Sequence, residues 1–397
     1  MANNNKHTGP NVPALRFPEF SGEWKTFQLS DLAAYSKERV KMEILSSNNY
    51  VSTENMQQDF AGIKDAISLP SSGSAVEFQV GDILISNIRP YLKKIWLSDR
   101  NGGCSTDVLA LRTKNEKVDS SFLYCCLAND DFVSYVMSGA KGVKMPRGDK
   151  QHIMSYNLGV PSVQEQRRIA ELVSLLEKRI SAQSKIIEEL TALRSALHQG
   201  IMSTGLEDGS WRMQTLDEVL SERTELNNEG HAVHSVSVSK GIVNQIEYLG
   251  RSFAAKDTSR YHVAYPGDVV YTKSPTGEFP YGIVKQSQIP IKAALSPLYG
   301  VYVPITQEIG YIIHNHFLSA KNALNYLHPL IQKGAKNTIN ITNQRFLQNS
   351  MPLPTNKNAA LLYYNAIKTI SDKIILEEMV MEKLQSQKSF LLKTMFI

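Results

Sequence analysis

The sequence predicts an α+β protein made by tandem duplication: two similar globular halves, each followed by a long helix, with the two helices pairing as an antiparallel coiled coil. Three observations predict it. The motif Trp24-Lys25-x-x-x-Leu29-x-Asp31-Leu32 returns 187 residues later as Trp211-Arg212-x-x-x-Leu216-x-Glu218-Val219. An apolar heptad series near residue 180 reappears at a fixed offset of 194 near the C-terminal end. Between these landmarks each half holds short apolar runs broken by Gly, Pro, Asn and Ser, the pattern of strands and turns. At 397 residues and 44.4 kDa the chain also exceeds what one hydrophobic core usually supports.

In chain order, residues 1–14 are Asn-rich and are expected as a disordered tail. Residues 15–160 form the first globular domain. Within it Val80-Gly81-Asp82-Ile83-Leu84 reads as a Gly-Asp turn running into a strand, Val108 to Leu111 as a strand, and 120–137 as helical. Residues 161–205 are the central helix. The second domain, 206–354, repeats the turn as Pro266-Gly267-Asp268-Val269-Val270 and the tripeptide Gly139-Ala140-Lys141 as Gly334-Ala335-Lys336. It has strand-like stretches at 283–284 and 301–303 and a helical one at 320–332. Residues 355–397 are the C-terminal helix.

The helices carry the sharpest alignment. Val173, Leu176, Ile180, Ile187, Leu190 and Leu197 match Ile367, Ile370, Ile374, Met381, Leu384 and Leu391 as a/d positions. The two polar interruptions match as well, Gln183 with Glu377 and Arg194 with Lys388. Such a seam calls for a helical partner, and the other copy supplies one. Ser162-Val163-Gln164-Glu165 after Pro161 predicts a capping box, while Thr355-Asn356-Lys357-Asn358 after Pro354 is a weaker start. About forty residues at ~1.5 Å each make a rod near 60 Å, longer than a domain face needs, so the helices read as a spacer.

With 42% hydrophobic and 20% charged residues the chain can bury an ordinary core. The N-terminal run lacks the apolar stretch of a signal peptide, no segment reaches the ~18 apolar residues of a membrane span, and only three cysteines occur, two of them adjacent. A reduced, cytoplasmic protein is expected. No dinucleotide-binding turn, phosphate loop, zinc-protease motif or nucleophile elbow is present, and neither is the tetrapeptide of amino-directed DNA methyltransferases. His231-x-x-His234 and His314-Asn315-His316 have no complementary spacing, so no metal site is assigned.

The positive charge is concentrated. Window 271–345 holds seven basic and two acidic residues, an excess as large as the +5 of the whole chain, and window 86–150 holds eleven against seven. Lysine and arginine neutralise phosphates while amides and hydroxyls reach base edges, which suits these windows to nucleic acid. The candidate contacts are Arg89, Lys93, Lys94, Lys141, Lys144 and Arg147 in the first half. In the second they are Lys273, Lys285, Lys333 and Lys336 with Asn337, Asn340 and Asn343.

Leu15-Arg16-Phe17-Pro18-Glu19-Phe20 before Trp24, the Gly-Asp-Ile-Leu block with Arg89, and above all Pro161-Ser-Val-Gln-Glu165-Gln166-Arg-Arg-Ile169-Ala resemble the specificity subunit of type I restriction-modification systems. The likeness spans nearly the whole chain, although Pro354-Thr-Asn-Lys-Asn-Ala lacks the Glu-Gln pair. It implies two target-recognition domains that each read half of a split sequence in double-stranded DNA, with no catalysis and no bound cofactor on this chain. It further implies two modification subunits that methylate adenine with S-adenosylmethionine, and restriction subunits using ATP and Mg. The alternatives are an enzyme, a methyltransferase or nuclease with a dispersed site, and a coiled-coil scaffold without nucleic acid. Catalysis by the purified chain would select the first, absence of salt-sensitive DNA binding the second.

The seam register yields a test of the spacer. Four residues inserted near Gln183 together with four near Glu377 add about one turn to each helix, keep the apolar face aligned, and lengthen the rod by ~6 Å. At ~3.4 Å per base pair the unread gap in the target should grow by one or two pairs with both half-sites unchanged. Sequencing of methylated sites measures this, and an unchanged gap would remove the spacer role.

Overall fold

The computed structural model describes residues 11–251, 255, 257–333 and 339–397. They fall into two units, one combining the chain up to Ser184 with Met379–Ile397, the other formed by Lys185–Glu378.

The first unit opens on strand Lys25–Gln28, which pairs antiparallel with Asn157–Val160 and so brings Trp24 beside the head of the central helix. Its main sheet has the order Ala33–Tyr35, Val108–Thr113, Ile83–Ser86, Ile95–Leu97, all antiparallel. Ile83–Ser86 is buried at every position, as a short apolar run bounded by turn residues predicts. A smaller sheet of Arg39–Lys41, Ser74–Phe78, Gly102–Cys104 and Tyr50–Val51 lies in the same unit. The helical stretch expected over 120–137 is two helices, Ser120–Leu127 and Asp130–Ser138. The break falls at Asn129, whose side chain accepts the amide of Phe132 at 2.9 Å and starts the second helix.

The central helix runs Val163–Asp208. Ser162 Oγ accepts the Glu165 amide at 3.3 Å, but the return half of the expected capping box is missing. The Glu165 carboxylate, 1% exposed, turns instead to Arg16, which donates to both its oxygens at 2.7 and 2.8 Å, and to Trp24 Nε1 at 3.3 Å. A charge-assisted bidentate pair is stronger than one neutral amide, so the guanidinium wins the carboxylate. Gln166, fully buried, donates to the carbonyls of Lys117 and Pro161 at 2.8 and 2.9 Å and accepts the Asp119 amide at 2.8 Å. From the C-terminal helix, Met395 and the half-buried Leu391, Leu392 and Phe396 join Ile169, Ala170 and Val173 in one core, where Phe396 stacks on Phe122 at 5.6 Å. Lys388 Nζ reaches Glu177 at 2.6 Å. Of the tail expected over 1–14, residues 11–14 are described and are anchored rather than disordered. Asn11 O accepts the Trp24 amide and Leu15 donates to Thr394 O, while residues 1–10 lie outside the described residues.

The second unit repeats the plan. Trp211–Thr215 pairs with Ser350–Pro354, and the main sheet runs Leu220–Glu222, Gly300–Pro304, Val269–Tyr271, Val284–Gln286, strand for strand the order of the first unit. Tyr271 and Tyr302 stack on Phe346 at its centre, at 4.6 and 5.1 Å. The helix expected at 320–332 ends earlier, as Ala320–Leu327 followed by a 3-10 turn His328–Leu330 containing Pro329, and a helix Gln307–His316 precedes it. The C-terminal helix, Lys357–Thr394, has the cap its sequence only weakly advertised, with Asn356 Oδ1 accepting the Ala359 amide at 3.0 Å. Here Leu197, Ile201 and Met202 pack with Ala360, Tyr363 and Ile367, and His198 Nδ1 pairs with the Tyr363 hydroxyl. Within each unit the two helix segments thus run antiparallel.

All twelve predicted seam residues are sheltered. Val173, Leu176, Ile367, Ile374 and Leu384 are buried, and Ile180, Ile187, Leu190, Leu197, Ile370, Met381 and Leu391 are half-buried.

Burial beside Arg194 holds the His198 imidazole down at about 4. Burial also lowers His314 and His316 to about 3, with Lys285 and Arg194 adding to it at His314 and the His198 ring at His316. These rings are neutral when folded and take up protons only on unfolding, so they cost nothing above pH ~6.5. As pH falls below that value the unfolded chain binds more protons, and each ring removes up to about 1.4 kcal/mol of stability per pH unit until its folded value is reached. Amide-exchange protection across Gln307–His316 should therefore drop between pH 6.5 and 4, and His198→Gln should flatten the profile. A flat wild-type profile would contradict the buried neutral rings.

Candidate nucleic-acid interface

In both units a glycine with positive φ, Gly81 at +86° and Gly267 at +90°, turns the chain into the central strand of the main sheet. The aspartate that follows accepts the amide three residues back, Gln79 for Asp82 and Tyr265 for Asp268. Each, itself buried, is held by a two-point contact with a half-buried arginine, Arg112 on Asp82 at 2.9 and 3.0 Å and Arg223 on Asp268 at 2.7 and 3.1 Å. The strand that this turn positions ends in a loop, and the loop carries the site.

In the first unit that loop is 87–94. Arg89, with φ +51°, and Lys93, with φ +55°, bracket the 3-10 turn Pro90–Leu92, and both sit in the left-handed region that side chains other than glycine seldom occupy. Against it lies the hairpin 141–147, whose ends exchange backbone hydrogen bonds, Lys141 N–H to Arg147 O and Arg147 N–H to Lys141 O, both at 2.9 Å. Arg89 N–H donates to Pro146 O at 2.8 Å, and Gly148 N–H to Asn87 O at 3.1 Å. The fold therefore assembles all six first-half candidates, from two segments some fifty residues apart.

Four of the six already have partners. Lys93 pairs with Asp130 at 2.7 Å, Lys141 with Asp149 at 2.8 Å and Arg147 with Asp107 at 3.1 Å, while Lys94 Nζ donates to Thr53 O at 2.6 Å. The Lys141 ammonium, with backbone amides of the helix that it caps, holds the Asp149 carboxyl at about 2. Burial, and Arg89 nearby, lower Lys94. Exposed pairs of this kind are worth about 0–1 kcal/mol, so a phosphate oxygen can replace the carboxylate at little cost. Arg89 and Lys144 are exposed and form no ion pair among the described residues. Sequence reasoning missed three side chains on the same surface: Tyr91, Val143 and Met145 are exposed. For Val143 and Met145 the signal was apolar residues interleaved with Lys141, Lys144 and Arg147.

The second unit assembles less of its set. Lys273, with φ +61°, occupies the equivalent loop after Val269–Tyr271 and is half-buried, its ammonium lowered by that burial. Lys285 does not reach the surface. It lies on strand Val284–Gln286 at 3% exposure, and burial beside Arg194 lowers it to about 8. Window charge gave no hint of this, because it ignores which face of a strand a lysine occupies. Lys336 and Asn337 lie outside the described residues. Lys333 and Asn340 fall in a short strand pair, Gln332–Lys333 with Ile339–Asn340, and only their backbone is described. The Asn343 amide donates to Glu222.

Neither histidine motif gathers further ligands. His314 Nδ1 accepts the Gln286 amide at 3.1 Å, His234 Nδ1 lies 2.8 Å from Ala232 O, and among the described residues no group of three or more His, Cys, Asp or Glu could hold a metal ion. Cys104, Cys125 and Cys126 are free and buried. No described helix is long and apolar enough to cross a membrane.

Residues 21–192 match the sequence profile of the family described as type I restriction modification DNA specificity domain. The type I restriction enzyme EcoDI specificity subunit of Escherichia coli is 24% identical over 151 residues, 37% of this chain and 33% of that one. The MjaVIII specificity subunit of Methanocaldococcus jannaschii is 24% identical over 211 residues, 52% and 47% of the two chains. The matches thus span less than half the length of these curated relatives. The crystal structure of the S subunit of a type I restriction-modification system from M. genitalium is 13% identical and superposes with a TM-score of 0.63, covering 97% of this chain and 99% of that one, and so has the same fold.

The strained loop yields a stability test. A non-glycine residue held in the left-handed region costs about 1–3 kcal/mol, partly offset in glycine by its entropy loss of roughly 0.5–1 kcal/mol. Arg89→Gly should leave the first unit unchanged or about 1 kcal/mol more stable in urea denaturation although a side chain is lost. A clear destabilisation would show that the Arg89 side chain is a structural prop.

Proposed function

We propose, for a chain whose residues 21–192 match the profile of type I restriction-modification DNA specificity domains, that it recognises DNA sequence within a type I restriction-modification complex and does no chemistry itself. The observation that carries this reading is the first-unit surface, where a strained basic loop and a pinned basic hairpin converge from separate parts of the chain. Six cations within two abutting loops suit a polyanion that is followed along its backbone, and the exposed Tyr91 and the hairpin tip offer groups for base edges. The repeated sheet order gives the second unit the same strand and loop, from which it would read the second half of a bipartite target, with the helices setting the distance between the halves.

The partners are double-stranded DNA, two modification subunits and the restriction subunits. S-adenosylmethionine, ATP and Mg belong to those subunits, which carry adenine methylation and ATP-dependent cleavage. No observation favours an enzymatic reading of this chain over recognition.

The two unpaired cations provide the test. Arg89→Ala and Lys144→Ala should each weaken binding to duplexes of any sequence, and each should flatten the plot of log affinity against log salt by about 0.9 per lost phosphate contact. Titrations of the full chain at several salt concentrations measure this. Unchanged slopes for both variants would return the cluster to ordinary solvated surface.

A further inference from the structure

The hairpin 141–147 ends in an apolar tip that its own unit does not cover. Val143 is 99% exposed and Met145 50%, yet the hairpin is pinned at both ends. Lys141 and Arg147 exchange backbone hydrogen bonds, Pro146 is buried, and its carbonyl accepts the Arg89 amide. A tip fixed in this way gives up little conformational freedom when it meets a ligand. Leaving it in water has no use for folding. The same hairpin carries Lys141, Lys144 and Arg147, and the abutting loop carries Arg89; with Lys141 and Arg147 paired to Asp149 and Asp107, Lys144 and Arg89 are the cations beside Val143 with no ion pair among the described residues, and they fit an anionic ligand.

Resting on the DNA reading above, we propose that the tip enters the major groove and that Val143 is a specificity-determining residue that reads the C5-methyl group of a thymine. The major groove is about 12 Å wide, and the segment that would enter it is a short loop closed at its base by the single backbone pair between Lys141 and Arg147. A valine side chain neither donates nor accepts a hydrogen bond. The one base-edge feature it distinguishes there is therefore the thymine methyl, while the flanking cations take phosphates on either side. Sequence reading and charge neutralisation are then separate tasks of adjacent residues, and separate substitutions address them.

The experiment selects binding sites for the full-length chain from a randomised duplex library, with Val143→Ser beside the wild type. Val143 is fully exposed, so the variant leaves the core intact. The proposal expects Val143→Ser to lose the preference for one T·A pair in one half of the selected sequence, with the other half and the salt slope unchanged. Replacing dT by dU at that pair removes only the methyl group. It should weaken wild-type binding about fourfold, the worth of burying one methyl-sized group, and leave the variant unaffected. Identical selected sequences for the two proteins, or wild-type binding that ignores dU at every thymine, would overturn the proposal while the DNA reading stands. A wild type that selects no sequence at all would overturn the DNA reading, and the proposal with it.

Discussion

The buried carboxylate of Glu165 decides how the first unit is put together. Removing a carboxylate from water costs several kcal/mol unless it is paired and hydrogen-bonded, and here Arg16 and Trp24 supply that pairing from residues about 140–150 positions upstream. The contact fixes three things together: where the segment before the first strand lies, how Trp24 sits, and at what point the central helix leaves the sheet. Gln166 completes the joint by satisfying two carbonyls and one amide that would otherwise be orphaned at a helix start. The second unit meets the same need by packing. Gly205 lets the Trp211 ring lie directly on the helix, since a Cβ there would stand 2.1 Å from the indole, and Tyr363 covers the ring at 5.5 Å.

The duplication has been retained where geometry is least forgiving. Both copies keep the left-handed glycine, the buried aspartate that accepts the amide three residues back, and a half-buried arginine on that aspartate. The arginine comes from different strands, Arg112 within Val108–Thr113 and Arg223 just beyond Leu220–Glu222. The two units thus meet the same charge requirement from different positions. Peripheral parts have diverged: the four-stranded second sheet of the first unit corresponds to the two-stranded pairs His234–Ser237 with Gly241–Asn244 and His262–Ala264 with Ala293–Leu295.

Features with a fixed period were legible in the sequence, and those set by competition between partners were not. The helix seam is strictly periodic, and the two-copy layout follows from repeated Trp and Gly-Asp landmarks, so both could be read from residue types alone. The break at Asn129 turned on one amide finding a side-chain acceptor inside an apolar stretch. The capping box at Ser162 failed because a distant arginine bound the glutamate more tightly, which no local window reveals. At the candidate interface the basic residues were visible as composition. Their convergence depends on hydrogen bonds between loops fifty residues apart, and the burial of Lys285 depends on the facing of one strand.

Met395, Leu391, Leu392 and Phe396 belong to the core that contains Trp24 and Phe122. During synthesis on a ribosome, the second unit has all of its residues once Glu378 has been made, whereas the first stays incomplete until the last turn of the C-terminal helix emerges. At roughly 5–20 residues per second, the polypeptide between Ser184 and Met395 takes on the order of 10–40 s to appear. Throughout that interval the nascent first unit displays an uncovered apolar surface around Phe122 and Ile169. The first unit is thus the later of the two to close although most of its residues are made earlier, and loss of Met379–Ile397 would open the core around Trp24 and Phe122 rather than that of the second unit.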